Sequence, residues 1–174
     1  RIPDLIFNVL ISGAFAAAFI PIYVGLLENK DKERANKVAS SILTVLLLSV
    51  TVICVLCFIF APQLVALLTS GFSPEKRHLV VELTRIMMLT PIFFTLSAIL
   101  GSIQQSFDRF VLFALTGVFY NLGIIVGILF LSKSIFSGMP IYGVAWGVVL
   151  GTIMQALLQI FGLKGLNVKL KFAL

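Results

Sequence analysis

The chain has 174 residues, of which 60% are apolar and only 11% are charged, whereas an ordinary soluble domain is about half apolar and about a quarter charged. This composition excludes a water-soluble globule and indicates a protein that crosses a membrane several times. The net charge of +6 does not indicate a nucleic-acid partner, because the 13 Lys and Arg residues form short clusters between apolar runs instead of one basic face.

Five uncharged stretches are long enough to cross a bilayer, which takes about 20 residues of helix. They are residues 5–27, 38–60, 86–107, 110–131 and 141–163. A further apolar stretch, residues 62–69, is too short to cross and predicts a helix that lies in the membrane interface. The predicted fold class is therefore all-α, a polytopic transmembrane helix bundle with five membrane-spanning helices plus one short interfacial helix.

Small residues and prolines interrupt the first and third spans. Gly13 and Pro21 lie in the first span, and Pro91 lies in the third. Because proline removes a helical hydrogen bond, we expect the helices to bend near Pro21 and Pro91, and we assign Gly13 to helix packing. Broken helices are typical of transporters whose halves rock against each other, and they also occur in bundles that only pack.

The second span contains a Cys-x-x-Cys pair, Cys54 and Cys57. Such a pair is found in redox sites and in zinc sites. The chain has no other cysteine, and its single histidine, His78, falls in a distant loop. We therefore interpret the two thiols as packing residues and expect neither a metal nor a cofactor.

In the fourth and fifth spans, polar residues lie among glycines or continue their spacing. Asn121 lies among glycines of the fourth span, and its amide needs a partner because an unsatisfied amide in hydrocarbon is costly. The fifth span has a repeat at intervals of four residues, which forms one ridge on a helix: Gly143, Gly147, Gly151, Gln155 and Gln159. We interpret the three glycines as helix-packing residues, while the two glutamines either join that packing or line a polar cavity.

Few ionisable residues lie at the ends of the spans. Arg1 and Asp4 precede the first span, and Glu82 and Arg85 precede the third. Each of them either extends to the membrane interface or lines a cavity. The sequence contains no paired carboxylates, Ser-His-Asp group, phosphate-binding loop or metal-ligand spacing, so we expect a protein that is not an enzyme.

Several longer segments match a known pattern. They are Arg1-Ile2-Pro3-Asp4, Gly13-Ala14-Phe15, Ala18-Phe19 with Pro21, Leu83-Thr84-Arg85-Ile86, Gly101 to Phe110, Tyr120-Asn121-Leu122-Gly123 and Val144-Ala145-Trp146-Gly147. In these residues and their spacing the chain resembles the MurJ (MviN) family of lipid II flippases over essentially its whole length. It departs from the family pattern at Phe7 and Asn8, where better-known members have two adjacent arginines, and at Ser12, where they have a Glu.

The resemblance implies a fourteen-helix, two-lobed transporter of the multidrug/oligosaccharidyl-lipid/polysaccharide exporter superfamily in the bacterial cytoplasmic (inner) membrane. Residues 1–174 would then form a partial N-terminal lobe, helices two to six of a longer chain whose remaining helices are partners of this segment. The implied function is translocation by alternating access of lipid II, an undecaprenyl-pyrophosphate-linked peptidoglycan precursor.

The expected ligands are this lipid-linked oligosaccharide and the membrane lipids. Because pyrophosphate is anionic, cations should contribute to its recognition. We predict Arg1 as the first substrate contact, oriented by Asp4 one helical turn away, and Arg85 as the second. Asn121, Gln155 and Gln159 complete the predicted substrate-binding residues.

Two other functions are compatible with the sequence. A multidrug or polysaccharide exporter of the same superfamily would account for the missing arginine pair at Phe7 and Asn8. A non-transporting membrane scaffold would use the glycine ridge only to hold helices together. The two classes differ in their interior, because a scaffold should be filled, whereas a flippase should leave Arg1 facing a polar groove.

The orientation follows from the distribution of Lys and Arg, which favour the cytoplasmic side. With alternating spans, one side receives eight of these residues, namely Lys30, Lys32, Arg34, Lys37, Arg109, Lys164, Lys169 and Lys171. The other side receives five, namely Arg1, Lys76, Arg77, Arg85 and Lys133. We therefore predict that residues 28–37 and the tail after Lys164 face the cytoplasm, and that His78 and Lys133 face outward.

Single cysteines at Asn36 and Ser134, in a protein lacking Cys54 and Cys57, test this orientation. An impermeant thiol reagent applied to intact cells should label Ser134→Cys and not Asn36→Cys, because only the former is predicted to face outward. The reverse labelling pattern would contradict the orientation.

Overall fold

The computed structural model describes residues 14–69 and 71–171, and for residues 14–17 the backbone alone. The regular elements of this part of the chain are helices: α1 (Ala14–Glu28), α2 (Lys32–Ile59), α3 (Ala61–Leu68), α4 (Pro74–Met87), α5 (Thr90–Gln105), α6 (Val111–Val126), a π-helical segment (Gly127–Ile135) and α7 (Pro140–Gly162). The predicted all-α fold class is confirmed.

Four helical stretches are long and apolar enough to cross a membrane. They are Lys32–Ile59, Pro74–Gln105, Val111–Ile135 and Pro140–Gly162. The first predicted span, residues 5–27, overlaps α1, in which Ala18–Glu28 is a shorter apolar helix. The part of that span before residue 14, with Gly13, lies outside the described residues.

The interfacial stretch predicted at residues 62–69 coincides with α3, which follows α2 directly. Pro62 lies in the first turn of α3, where proline is tolerated because the first N–H groups of a helix have no intrahelical partner. Asp31 caps the N-terminus of α2, and its side chain accepts a hydrogen bond from the backbone N–H of Arg34 at 3.0 Å. Residues 28–37, which carry charges of both signs, therefore form the first turns of α2 from Lys32 onward.

The third predicted span belongs to a longer helical stretch that begins at Pro74. The first turns of this stretch are helical but carry too many charges for a membrane interior. A search for uncharged runs in the sequence therefore finds only the apolar part of the helix. Pro91 has no N–H to donate to the carbonyl of Met87, and the hydroxyl of Thr90 donates to that oxygen instead, at 2.8 Å. The bend predicted near Pro91 thus falls at the junction between α4 and α5. In contrast, α1 continues through Pro21.

The main hydrophobic core joins α1, α2 and α5. Its fully or nearly fully buried members are Phe19, Tyr23, Ala35, Ala39, Leu43, Ile99, Leu100 and Ile103. The segment after α7 returns to this core, where Val168 and Leu170 pack against it. The backbone N–H of Lys171 donates to the hydroxyl of Ser40 at 3.1 Å. One end of the bundle is therefore held together by side chains from both halves of the described sequence.

A second, smaller cluster places the cysteines. Cys54 is buried together with Val50 and Met88, and Cys57 packs against the cluster from its edge. Both thiols are free. The Cys-x-x-Cys pair thus lies in the apolar contact between α2 and the α4–α5 junction.

Backbone contact between two helices sets the spacing of the other half of the bundle. Gly123 and Gly127, on α6 and the start of the π-helical segment, face Gly151 and Gly147 of α7. A Cβ atom added to Gly147 would lie 2.6 Å from the Cα of Gly127. A Cβ atom added to Gly127 would lie 2.7 Å from the carbonyl oxygen of Gly143. The helices are in contact through their backbones, so no larger residue fits between them.

The π-helical segment continues this contact toward the loop. A Cβ atom on Gly143 would lie 2.5 Å from the Cα of Ser132. The Ser132 hydroxyl lies within hydrogen-bond distance of two carbonyl oxygens, Gly127 at 3.0 Å and Pro140 at 2.7 Å. Ser132 therefore satisfies a carbonyl at the start of α7 where the two helices meet.

The two ends of the bundle are separated by the thickness of a membrane. Phe58 follows Lys37 by 21 residues along α2. We call the end of the bundle that carries Lys30, Lys32, Arg34 and Lys37 the basic end. At 1.5 Å per residue Phe58 is about 30 Å from it, which matches the hydrocarbon core of a bilayer. Phe58 and its neighbours thus lie one bilayer thickness from the basic end.

Substitution of Gly147 tests the backbone contact. Gly147→Leu in the complete protein should lower the free energy of unfolding by about 1–3 kcal/mol or prevent folding, because the added side chain forces two backbones apart. Gly138→Leu and Gly117→Leu serve as controls, since a Cβ atom at either position meets nothing within 4 Å. Thermal unfolding in detergent measures the difference, and equal stability of the three variants would contradict close packing at Gly147.

Candidate functional site

Two of the predicted substrate contacts, Arg1 and Asp4, lie outside the described residues and stay predictions. The described members of the predicted set are Arg85, Asn121, Gln155 and Gln159. The structure does not bring these four together. They lie in three places that differ in burial, in hydrogen bonding and in position along the length of the helices.

Arg85 lies near the end of α4, beside the end of α2. Its guanidinium carbon is 5.2 Å from the centre of the Phe58 ring, and its Nε donates to the Phe58 carbonyl oxygen at 3.3 Å. Among the described residues, no carboxylate lies within ion-pair distance of Arg85. The stacking on Phe58 thus orients a cation whose terminal nitrogens are free of protein partners in this part of the chain.

Arg85 is part of a groove of about 600 Å³ between α2, the α4–α5 junction and α7. We call it the Arg85 groove, and its lining residues are Cys54, Val55, Phe58, Glu82, Arg85, Ile86, Met88, Leu89, Ile92, Tyr142 and Trp146. Glu82 accepts a hydrogen bond from the Tyr142 hydroxyl, which ties α4 to α7, and lies 3.7 Å from Nδ1 of His78. The groove is apolar apart from a cluster of polar groups at one end.

Gln159 is completely buried between α5, α6 and α7. Its side-chain oxygen accepts a hydrogen bond from Nε2 of Gln104, and its own Nε2 donates to the carbonyl of Leu112 at 3.3 Å. The same Nε2 of Gln104 also lies 2.9 Å from the Gln159 carbonyl oxygen. Each side-chain polar atom of Gln159 therefore has a protein partner, and these contacts connect three helices.

Gln155 lies one turn earlier on α7 and is half-buried. Its Nε2 donates to the hydroxyl of Ser97 on α5 at 3.0 Å. Asn121 is exposed on α6, and its Nδ2 donates to the carbonyl of Gly117 in its own helix at 2.7 Å. Gln155 thus adds a second link between α5 and α7, whereas Asn121 makes a contact only within α6.

Gln104 is a structural partner that the sequence did not single out. It is fully buried, and its Oε1 lies so close to Gly162 that a Cβ atom there would overlap it. Its segment contains two adjacent glutamines, and their spacing alone does not tell which of them faces α7. Only the rotation of α5 relative to α7 reveals that Gln104 forms the buried pair.

Two further pockets adjoin each other on α2. One is lined by Asp31, Glu33, Arg34 and Lys37, so it has two carboxylates and two cations. The other is apolar and lies between α1 and α2, and it shares Ser41 and Ile42 with the first.

Comparison with known proteins relates the whole chain to one family. A family model described as "Lipid II flippase MurJ" matches residues 1–174. A "Probable lipid II flippase MurJ" of Buchnera aphidicola is 30% identical over 169 residues, which are 96% of this chain and 33% of that protein. The "Lipid II flippase MurJ" of Burkholderia cenocepacia is 28% identical over 166 residues, 94% of this chain and 32% of that protein. The chain spans about a third of the length of these curated relatives.

The buried amide pair predicts a measurable coupling between α5 and α7. Gln159→Leu should lower the free energy of unfolding by about 1–3 kcal/mol, because it leaves the Leu112 carbonyl and the Gln104 amide short of partners in a buried site. The double variant Gln104→Leu with Gln159→Leu should cost less than the sum of the two single variants.

Asn121→Leu is the control for this series, since Asn121 is exposed and its hydrogen bond stays within one helix. It should change stability by no more than about 0.5 kcal/mol. Thermal unfolding of the four variants in detergent gives the comparison. Strict additivity of the two glutamine substitutions would show that their amides do not depend on each other.

Proposed function

The chain belongs to the lipid II flippase MurJ family, and on this premise we propose that the complete protein moves lipid II across the bacterial inner membrane. Proteins of this family are multi-pass membrane proteins, and the helices of this chain have the length and composition for that. The observation that carries the proposal is the match of the family model to all 174 residues.

The packing of the described helices supports an alternating-access mechanism. Such a mechanism moves one group of helices against another, so each group must keep its internal geometry during the movement. The backbone contact of Gly127 with Gly147 and the buried Gln104–Gln159 pair connect α5, α6 and α7 without room for repacking. We propose that these helices move as one body within the lobe.

We propose Arg1 as the cation that meets the pyrophosphate of the substrate, with Asp4 as the residue that orients it. A guanidinium binds phosphate oxygens through charge-assisted and bidentate hydrogen bonds. Phe7 and Asn8 occupy the positions of an arginine pair in better-known members, so fewer cations compensate the pyrophosphate charge in this protein. Its dependence on Arg1 should be correspondingly greater.

The remaining predicted contacts have different roles in this proposal. We assign Gln155 and Gln159 to links between helices, since their amides are already bonded to protein groups, and Asn121 to a contact within α6. Arg85 faces its own groove, and no described residue of α1 lines that groove. We therefore propose that Arg1, which precedes α1, and Arg85 serve different ligands.

A growth experiment tests the proposed function and the role of Arg1. Arg1→Ala in the complete protein should fail to support growth of cells depleted of their own lipid II flippase, because loss of one partner of a desolvated charge pair costs about 2–5 kcal/mol. Arg1→Lys should restore growth in part, since lysine keeps the charge but not the bidentate geometry.

Lys133→Ala at matched expression is the control, because Lys133 is an exposed cation of the π-helical segment. It should support growth. Normal growth with Arg1→Ala would remove Arg1 from the substrate path. Failure of the unmutated protein to support growth would count against lipid II as the substrate.

A further inference from the structure

The polar end of the Arg85 groove presents one cation and one carboxylate that do not pair with each other. Arg85 and Glu82 are one helical turn apart on α4, and both line the groove. One oxygen of Glu82, Oε2, accepts from Tyr142 and lies 3.7 Å from Nδ1 of His78, and among the described residues the other oxygen, Oε1, has no partner. The groove therefore offers a site for a negative group beside a site for a positive group.

The polar end lies at a membrane boundary. Arg85 contacts Phe58, which is about 30 Å from the basic end of α2. On α7, Tyr142 precedes the last helical residue, Gly162, by 20 residues, or about 30 Å of helix, so both helices place this end of the groove at the same level. Tyr142 and Trp146 are of the two residue types that are enriched at such boundaries.

The rest of the groove extends from this boundary into the membrane. Cys54 lies one turn deeper than Phe58 on α2, and Ile92 lies about 10 Å deeper than Arg85 along the α4–α5 stretch. Met88 and Leu89 line the groove between these levels. A ligand that fits must carry its charges at one end and an apolar chain at the other, as a phospholipid does.

We propose that the Arg85 groove binds phosphatidylethanolamine, with the lipid phosphate on Arg85, the ammonium on Glu82 and one acyl chain along Cys54, Met88 and Ile92. The headgroup of this lipid carries a phosphate and an ammonium group joined by a short linker, and this matches the guanidinium of Arg85 beside the free Oε1 of Glu82. Phosphatidylglycerol offers the phosphate but leaves Oε1 of Glu82 without a partner. The groove therefore selects the zwitterionic lipid.

Photocrosslinking in vesicles tests the occupant. The complete protein, with p-benzoylphenylalanine at Leu89, is reconstituted into equal parts of dioleoyl phosphatidylethanolamine and dioleoyl phosphatidylglycerol, and mass spectrometry identifies the adducts. Leu89 lines the groove and is 40% exposed, and Ile128, 45% exposed on the π-helical segment, is the control position. The ratio of phosphatidylethanolamine to phosphatidylglycerol adducts should be about threefold higher at Leu89 than at Ile128, as expected for one added ionic contact.

Glu82→Gln is the decisive variant, because its side-chain carbonyl can still accept from Tyr142 while the charge is lost. It should reduce the adduct ratio at Leu89 to the value at Ile128 or below it, and Lys133→Gln should leave the ratio unchanged. Equal ratios at the two positions in the unmutated protein would overturn the proposal. An excess of phosphatidylglycerol adducts, or crosslinks only to another segment of the protein, would overturn it as well.

Discussion

The arrangement of this chain depends on the contact between the glycine faces of α7 and of α6 with its π-helical continuation. In a bilayer, burial of apolar surface does not draw helices together, because lipid tails are as apolar as side chains. Association then relies on close packing and on hydrogen bonds between helices. Because Gly127 and Gly147 have no Cβ atoms, the helices pack closely. Close packing also allows hydrogen bonds between helices, since amides bridge helices only at short separations.

The buried amides act where the glycines have brought the helices close. Gln159 is completely buried, and its hydrogen bonds reach both α5 and α6. An unpaired amide in hydrocarbon costs several kcal/mol, so a rotation of α7 that separates Gln159 from Gln104 and from the Leu112 carbonyl is penalised. The glycines thus set the distance between helices, and the amides set their rotation.

The charges of the chain have distinct roles that follow from where they lie. Most Lys and Arg residues cluster at the basic end and bear on orientation, and Arg1 is our candidate for the transported anion. Arg85 lies at the opposite end of the bundle, in a groove that no described residue of α1 lines. The proposed flippase would need stable contacts with the bilayer as well as with its substrate, and we propose the Arg85 groove for the contact with the bilayer.

The sequence by itself determined that this is a helical membrane protein, because the bilayer imposes length and composition on each helix separately. The repeat from Gly143 to Gln159 also predicted a packed ridge on α7, since it needs only the period of one helix. The tertiary structure decided which residues face that ridge, which of the glutamines near residue 104 pairs with Gln159, and that Arg85 and Glu82 share a groove with Tyr142. These outcomes depend on the rotation and depth of one helix against another, and no local pattern along a single helix encodes that relation.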